Sequence, residues 1–495
     1  MLSLPKHPSR SSKFLLAEEG CFSKLGMAFV FILFFLIPSY LPRMKLATLL
    51  LLAPFAALAQ TKSAPLLPAA DPKIQKLVDE ISTKNLEDDI RKLVSFGTRH
   101  TLSDTQSPTR GIGAARNYVR AEFLKYSKAG GGRLTVEMDT FTVKPDGRRI
   151  NKPVLMANVL ATLPGTDPTD TRIILVSGHI DSRVSDVMNA TADAPGANDD
   201  GSGTVLVMEL ARVLADQRFP CTLKFVAVQG EEQGLYGSGH LAERAKKEGW
   251  NLVAMLNNDI VGNSHGFDPV INDATQVRVF SEGVPANETA DQAKVRRQLS
   301  SENDAPSRLL ARYIARTAQL YGRGHRATLV YRPDRFLRGG DHTPFNQQGF
   351  AAVRFTEMNE DYTHQHQDLR TEKNRPYGDV AEGVDFAYLR RNAGLNLATM
   401  ASLALAPAAP AQVEVLTAEL TNRAQLRWQA PATGARPAGY VVLVRETSAP
   451  QWQQRFPVAG LTADLPISKD NFIFGVASVD AAGHESVAVL PVVGR

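Results

Sequence analysis

The chain has 495 residues, 43% of them hydrophobic and 22% charged, which is enough for two or three domains with full cores. The formal net charge of +5 is concentrated at the start: residues 1–59 hold six Lys/Arg against two Asp/Glu, so the remainder is near neutral and gives no support for a nucleic-acid partner. Of the two cysteines, Cys21 lies in that leading segment, which leaves Cys221 alone and excludes an internal disulfide once the leader is gone.

Residues 1–59 read as a signal or targeting segment. Gly26 to Leu41 is strongly apolar; Met44-Lys45 then opens a second apolar run, Leu46 to Phe55, closing on Ala57-Leu58-Ala59. A basic start, an apolar middle and a small-x-small end make a secretory signal. The expectation is an exported protein, periplasmic or secreted, cleaved after Ala59 and with Met44 as the true start. An uncleaved N-terminal membrane anchor is the competing reading, against which Pro38, Pro42 and Arg43 interrupt the combined run.

Residues 60–70 read as a linker. Apolar spacing then predicts helix over Asp71–Phe96 and over Gly111–Tyr126, followed by strands over Leu134–Val143 and Met156–Leu163. A regular alternation comes next. The strand Ile173–Val176 runs out at His179, and a helix follows over Ser202–Asp216. The strand Leu223–Val228 runs out at Glu231, with a helix over Gly237–Lys247, and the strand Leu252–Leu256 runs out at Asp259. Further elements are strands at Val277–Phe280 and Ala351–Phe355 and helices at Ala305–Tyr321 and Val384–Leu405. This is the pattern of an α/β domain over 71–404, a mostly parallel mixed sheet covered by helices on both faces. Ligands of such sheets bind at the carboxyl ends of the strands, where His179, Glu231 and Asp259 all fall. The segment from Gly262 to Ser301 reads as a loop region able to cap that end. A Pro/Ala linker at 405–412 leads into residues 413–495, where period-two runs such as Ala424-Gln425-Leu426-Arg427-Trp428 predict a small all-β sandwich.

Two adjacent carboxylates, Glu231-Glu232, in a glycine-rich turn cost energy unless a cation neutralises them. Histidines and carboxylates at strand ends suit zinc, and a bridging carboxylate lets two ions sit about 3.5–4 Å apart. Asp181 is placed to fix the tautomer of the His179 ring, and Asp368 that of His364. Either Asp199 or Asp200 could cap the helix that begins near Ser202, and either His364 or His366 could serve as a ligand.

The order His179-x-Asp181, Asn198-Asp199-Asp200-Gly201-Ser202-Gly203, Glu231-Glu232, Asp259 and His364-x-x-x-Asp368 resembles the co-catalytic dizinc aminopeptidase family, which also includes glutamate carboxypeptidases. The resemblance spans roughly residues 85–400. It implies two zinc ions, one held by His179 and Asp259, the other by Glu232 and His364, with Asp199 bridging. The family's form favours Asp199 over Asp200, and His364 over His366 because an aspartate follows four residues later. It further implies a cis peptide between Asp199 and Asp200, and Glu231 as the general base, with Asp181 completing the catalytic set. Asp341-His342 resembles the family's aspartate–histidine loop beside the cleft, although a helix cap at Asp341 is equally in keeping; Arg335 and Tyr362 are further candidates for the cleft. The implied activity is hydrolysis of peptide or protein substrates by an exported aminopeptidase. Carboxypeptidase or dipeptidase action, or a non-catalytic binding ectodomain, are the alternatives. In the last eighty or so residues, Leu426-x-Trp428, Gly439-Tyr440, Phe472-x-Phe474-x-Val476 and Asp480-Ala481-Ala482-Gly483 resemble a fibronectin type III domain. That domain is expected to act as a spacer, or to bind a surface or polymer, and to be dispensable for hydrolysis of small peptides. His484 reads as an isolated loop residue.

Overall fold

The computed structural model describes residues 63–267 and 271–494. The targeting segment, its cleavage site and the candidate membrane anchor lie outside them. No helix among the described residues is long and apolar enough to cross a membrane.

The chain opens with α1 (Pro72–Asp79), α2 (Thr83–Val94) and α3 (Gly111–Ala129). The helix expected over Asp71–Phe96 is therefore two, because Ser82 accepts from the Asn85 amide and caps a new start. The sheet strands are β1 (Thr135–Val143), β2 (Val154–Leu163), β3 (Arg172–His179), β4 (Thr222–Val228), β5 (Asn251–Asn258), β6 (Gln276–Phe280), β7 (Arg326–Val330) and β8 (Ala352–Glu357). Between them run α4 (Gly201–Leu214), α5 (Tyr236–Lys247), α6 (Ala290–Leu299), α7 (Pro306–Tyr321) and α8 (His342–Gln347). A small hairpin, β9 (Arg370–Glu372) and β10 (Arg375–Tyr377), precedes α9 (Phe386–Leu405).

These strands form one eight-stranded sheet in the order β1-β2-β4-β3-β5-β8-β6-β7. Its centre, β4-β3-β5-β8, is parallel, while β1, β2 and the β6–β8 pairing are antiparallel. The apolar runs of β3 to β5 are buried on both faces, as parallel strands require. One face packs on α1 to α4, α7 and α9, the other on α5 and α8. The result is the expected α/β architecture of helices on both faces of a mixed sheet. Strands β7, β9 and β10 and helix α6 were not visible in the sequence. The segment Gly262–Ser301 contains α6, which has no buried residue and hence no apolar stripe to reveal it; its start carries a capping box of Thr289 and Gln292.

Residues after α9 form two smaller β-sheets. One joins β11 (Ala411–Leu416), β12 (Ala424–Gln429), β15 (Thr462–Leu465) and β17 (Val492–Gly494); the other joins β13 (Gly439–Glu446), β14 (Gln454–Val458) and β16 (Phe472–Val479). Val413, Leu426 and Trp428 of the first sheet meet Tyr440, Val442 and Phe474 of the second in a shared core. The opposite face of the second sheet is buried too: Val441, Leu443 and Ile473 pack on Leu309 of α7.

Polar contacts reinforce this joint. Asp304 accepts from Arg445 at 2.8 Å and from Arg312 at 2.6 Å, and all three side chains are at most 2% exposed. Glu485 pairs with Arg316 of α7 and Arg455 of β14. His484 is not isolated, since its ring joins Asp480 to Asp71, the cap of α1. At the junction itself, Ala406 and Ala408 are buried, and Arg172 donates to the carbonyls of Leu403 and Ala406. Removing the chain after Ala411 would uncover Leu309 and strip a partner from a buried Asp–Arg cluster.

Replacing one member of a buried ion cluster strands the others, at a cost of about 3–5 kcal/mol, whereas an exposed pair contributes about 0–1 kcal/mol. Asp304→Ala is accordingly expected to lower stability by about 3 kcal/mol or more in urea unfolding. Arg423→Ala, in an exposed pair with Asp464, should change it by less than about 1 kcal/mol.

Candidate metal centre

Three adjacent parallel strands deliver the site. His179, the last residue of β3, is level with Val228 of β4, and Ser177 is level with Asn257 of β5. The turn after β4 therefore lifts Glu231 and Glu232 beside His179 from one side, and Asp259 arrives just past β5 from the other. Asp199 comes from the loop before α4. That helix starts very close to the sheet: a side chain at Gly178 would collide with the Gly203 backbone, and one at Gly203 with the Asn258 carbonyl.

Asp200 caps α4 through the Gly203 amide at 2.9 Å, and its other oxygen accepts from the His179 amide at 2.8 Å. Asp200 is thus the capping residue and Asp199 is left to face the cleft. The peptide between them is cis, as the resemblance implied.

The side chains form two donor groups, His179 with Glu231 and Asp259, and Asp199 with Glu232 and His366. Asp199 stands between them. Its Oδ1 lies 3.2 Å from His179 Nε2, and its Oδ2 lies 2.9 Å from His366 Nε2. His366 Nε2 is also 2.9 Å from Glu232 Oε1.

The histidine expectation is corrected here. His364 is outside the cluster; its ring lies against Gly383 and 3.9 Å from Asp361. The backbone at His366 takes a left-handed φ of 56°, and it is this ring that reaches Asp199 and Glu232. Asp368, the residue that favoured His364, accepts instead from the Ser185 hydroxyl at 2.7 Å.

Asp181 has a second task besides the expected one. The His179 Nδ1 meets the Asp181 backbone carbonyl at 3.1 Å and lies 3.7 Å from its carboxylate, and that carboxylate also accepts from the amides of Gly230, Glu231 and Glu232 at 3.0, 3.3 and 3.2 Å. It is the positioning residue of the Glu231–Glu232 turn. Three further supports escaped the sequence reading. Arg183 pairs with Glu232 at 2.8 Å, Arg354 pairs with Asp259 at 2.9 Å, and Asp379 accepts from the Asn198 and Asp199 amides at 2.9 and 2.7 Å. Arg354 did leave a signal, a charge in the middle of the apolar run Ala352-Val353-Arg354-Phe355.

The electrostatics are those of a site short of positive charge. Burial opposes a charged His366, yet the Glu232 and Asp199 carboxylates push its imidazole up to about 9. Against the same opposition, neighbouring carboxylates raise His179 well above its usual range. Burial, reinforced by Asp259 and Glu232 against a pull from His179, holds the Glu231 carboxyl well above its ordinary value; added cations would bring it down again. A donor set of imidazoles and carboxylates without thiolate, crowded enough to draw protons onto both rings, fits divalent cations of the zinc type.

Asp341 is fully buried, and burial pushes it up to about 7; it makes no side-chain cap on α8. Neither it nor His342 reaches the wall of the open cleft of about 280 Å3 above the cluster. Arg335 lines that cleft; Tyr362 does not, and nor does any described residue of Gly262–Ser301.

A mixed sheet whose parallel strand ends and adjoining loops gather two histidines and four carboxylates, Asp199 among them, forms a site suited to metal ions. The profile of peptidase family M28 matches residues 158–380, a range that holds every member of the cluster. The chain is 48% identical over 428 residues to a probable zinc metalloprotease of Leptosphaeria maculans, covering 86% of this chain and 98% of that one. It is 46% identical over 434 residues to one of Pyricularia oryzae, covering 86% of each. Among solved structures it is similar to the LapA aminopeptidase of Legionella pneumophila, with 19% identity, a TM-score of 0.47, and coverage of 70% of this chain and 78% of that one. The chain belongs to peptidase family M28 and is an enzyme, a metallopeptidase.

An asparagine at Asp181 would offer one acceptor where the carboxylate satisfies three amides and the Thr101 hydroxyl. Asp181→Asn is expected to cost about 1–3 kcal/mol of stability. It should also lower peptide hydrolysis, because the turn carrying Glu231 loses its anchor; thermal unfolding and an activity assay on the same protein check both.

Proposed function

We propose that the protein is an exported exopeptidase that holds two zinc ions and releases amino-terminal residues from peptides. The observation that carries this reading is Asp199, whose two carboxylate oxygens face separate donor groups, with His179 at 3.2 Å on one side and His366 at 2.9 Å on the other. The description of the relatives as zinc metalloproteases supports zinc as the metal. In this assignment His179 and Asp259 would hold one ion, Glu232 and His366 would hold the other, and Asp199 would serve both. Export rests on the basic, apolar and small-residue pattern of the leading segment.

Bound zinc supplies Lewis acidity and makes water a nucleophile near neutral pH. The protein's own groups do the rest. Glu231, within 4.8 Å of the His179 and Asp259 ligand atoms, takes the proton of the attacking water and passes it to the leaving amine. Asp181 fixes the turn from which Glu231 projects. Arg183 and Arg354 orient Glu232 and Asp259. The cleft of about 280 Å3 is just below the span of ligand sites, which run from about 300 to 1,000 Å3, and this supports cleavage near a chain end over cleavage within a long segment.

Glu231→Gln keeps the shape and removes the base. It is expected to bind zinc as the unaltered protein does and to lose hydrolysis by about 100-fold or more. The unaltered protein should cleave a peptide with a free amino terminus and leave its N-acetylated form intact. Retained activity in the glutamine variant would sink the assignment of the base, and cleavage of the acetylated peptide would sink amino-terminal action.

The histidine assignment has its own check. His366→Ala should lose about one equivalent of zinc by elemental analysis, together with activity, whereas His364→Ala should keep both ions.

A further inference from the structure

The cleft above the acidic cluster has a basic wall. Arg149, Arg183, Arg335 and Arg338 line it, and its acids, Asp199, Glu231, Glu232 and Asp259, all belong to the cluster itself. Two of the arginines have acid partners, Arg183 with Glu232 at 2.8 Å and Arg335 with Glu360 at 2.6 Å. The other two do not. Arg149 is exposed and donates to the Glu232 backbone carbonyl at 2.6 Å, with no ion pair among the described residues. Arg338 is exposed and its side chain has no partner among the described residues.

Both are nonetheless tied to the centre. The bond from Arg149 lands on the turn that carries Glu232. Arg338 precedes Gly339, whose carbonyl accepts from Arg354 at 2.7 Å, and Arg354 pairs with Asp259 at 2.9 Å. Two guanidiniums without counter-charge therefore stand at the mouth of a cleft with an acidic floor. A guanidinium presents a planar fork of donors that matches a carboxylate and binds it more strongly than a neutral group. A substrate carboxylate would be attracted to this rim, where Arg149 and Arg338 have no acid partner among the described residues.

We infer that Arg149 and Arg338 bind a carboxylate of the substrate, so that the preferred substrates are short peptides carrying an anionic group one or two residues from the scissile bond. This rests on the exopeptidase reading and names its substrate class. The carboxylate can be the free C-terminus of a di- or tripeptide or the side chain of an Asp or Glu.

Binding to the zinc-loaded Glu231→Gln protein reads this recognition without turnover. Calorimetric titration compares Ala-Ala with its C-terminal amide, and Ala-Asp-amide with Ala-Asn-amide. The carboxylate form of at least one pair should bind about tenfold more tightly or better, the scale of one charged hydrogen bond. Preference within the first pair identifies the terminal carboxylate as the source, and preference within the second identifies the side chain. Arg149→Ala/Arg338→Ala, made in the same background, should remove the difference, with elemental analysis showing that the zinc content is unchanged by loss of the Arg149 bond to the Glu232 carbonyl. Equal affinity within both pairs overturns the inference, as does a preference that survives in the double variant. If the unaltered enzyme cleaves none of these peptides or their longer homologues, the exopeptidase reading falls, while the titration still decides the carboxylate site.

Discussion

Mutual repulsion among the carboxylates of Asp199, Glu231, Glu232 and Asp259, gathered in one largely buried site, is the constraint around which the rest of the protein is arranged. A chain left to itself would swing these groups apart into water. Here they are held by backbone and by charge. Backbone restraint comes from Asp181, which accepts from the amides of the Glu231–Glu232 turn, and from Asp379, which accepts from those of Asn198 and Asp199. Charge restraint comes from Arg183 on Glu232 and Arg354 on Asp259. The remaining lone pairs converge on the space between His179 and His366, where positive charge is still wanted.

Backbone packing makes that convergence possible. The start of α4 could not bring Asp199 against His179 if Gly178 or Gly203 carried a side chain. Asp200 then ties helix to strand, capping α4 with one oxygen and holding the His179 amide with the other. Neighbouring residues of like type so acquire different tasks from geometry alone. Asp200 is structural where Asp199 faces the cleft, and Glu232 is gripped by Arg183 and His366 where Glu231 has no ion pair among the described residues. Freedom from a fixed cation is what a group needs if it is to exchange a proton.

The strand ends were legible in the sequence because a parallel core strand is an apolar run, and the residue just past it is at the carboxyl edge by construction. That placed His179, Glu231, Glu232 and Asp259 without reference to any contact. Which of two histidines two residues apart reaches the site was not legible. His366 sits in an irregular turn with a left-handed backbone, and no periodicity reports the direction of a side chain there. The aspartate that pointed to His364 is bound to Ser185 across more than 180 residues of chain, a long-range contact invisible to local spacing. Helix α6 was missed because it buries nothing, and Arg183 and Asp379 because a single charged residue in a loop looks like any other.

The β-rich part shows the same limit from the other side. Its alternating runs correctly announced short strands, but Val441-Val442-Leu443-Val444 is continuous, and continuity means that both faces are covered. One face closes the sandwich and the other closes on α7. Within that second interface sits Asp304 between Arg312 and Arg445, and near it Glu485 between Arg316 and Arg455. Buried ion clusters add little net stability over well-packed apolar groups of similar size, because desolvation offsets their attraction. What they do enforce is placement, since an apolar contact tolerates sliding and a charge stranded away from its partner does not. With the cysteine among the described residues, Cys221, buried and unpaired, these clusters and the apolar contact on Leu309 hold the β-rich part on α7. The same helix packs on β7 and α9, so the cluster couples the second sheet to the layer that backs the edge of the central one. Losing the placement would therefore be felt in the packing of the peptidase core before it was felt in any surface the β-rich part presents.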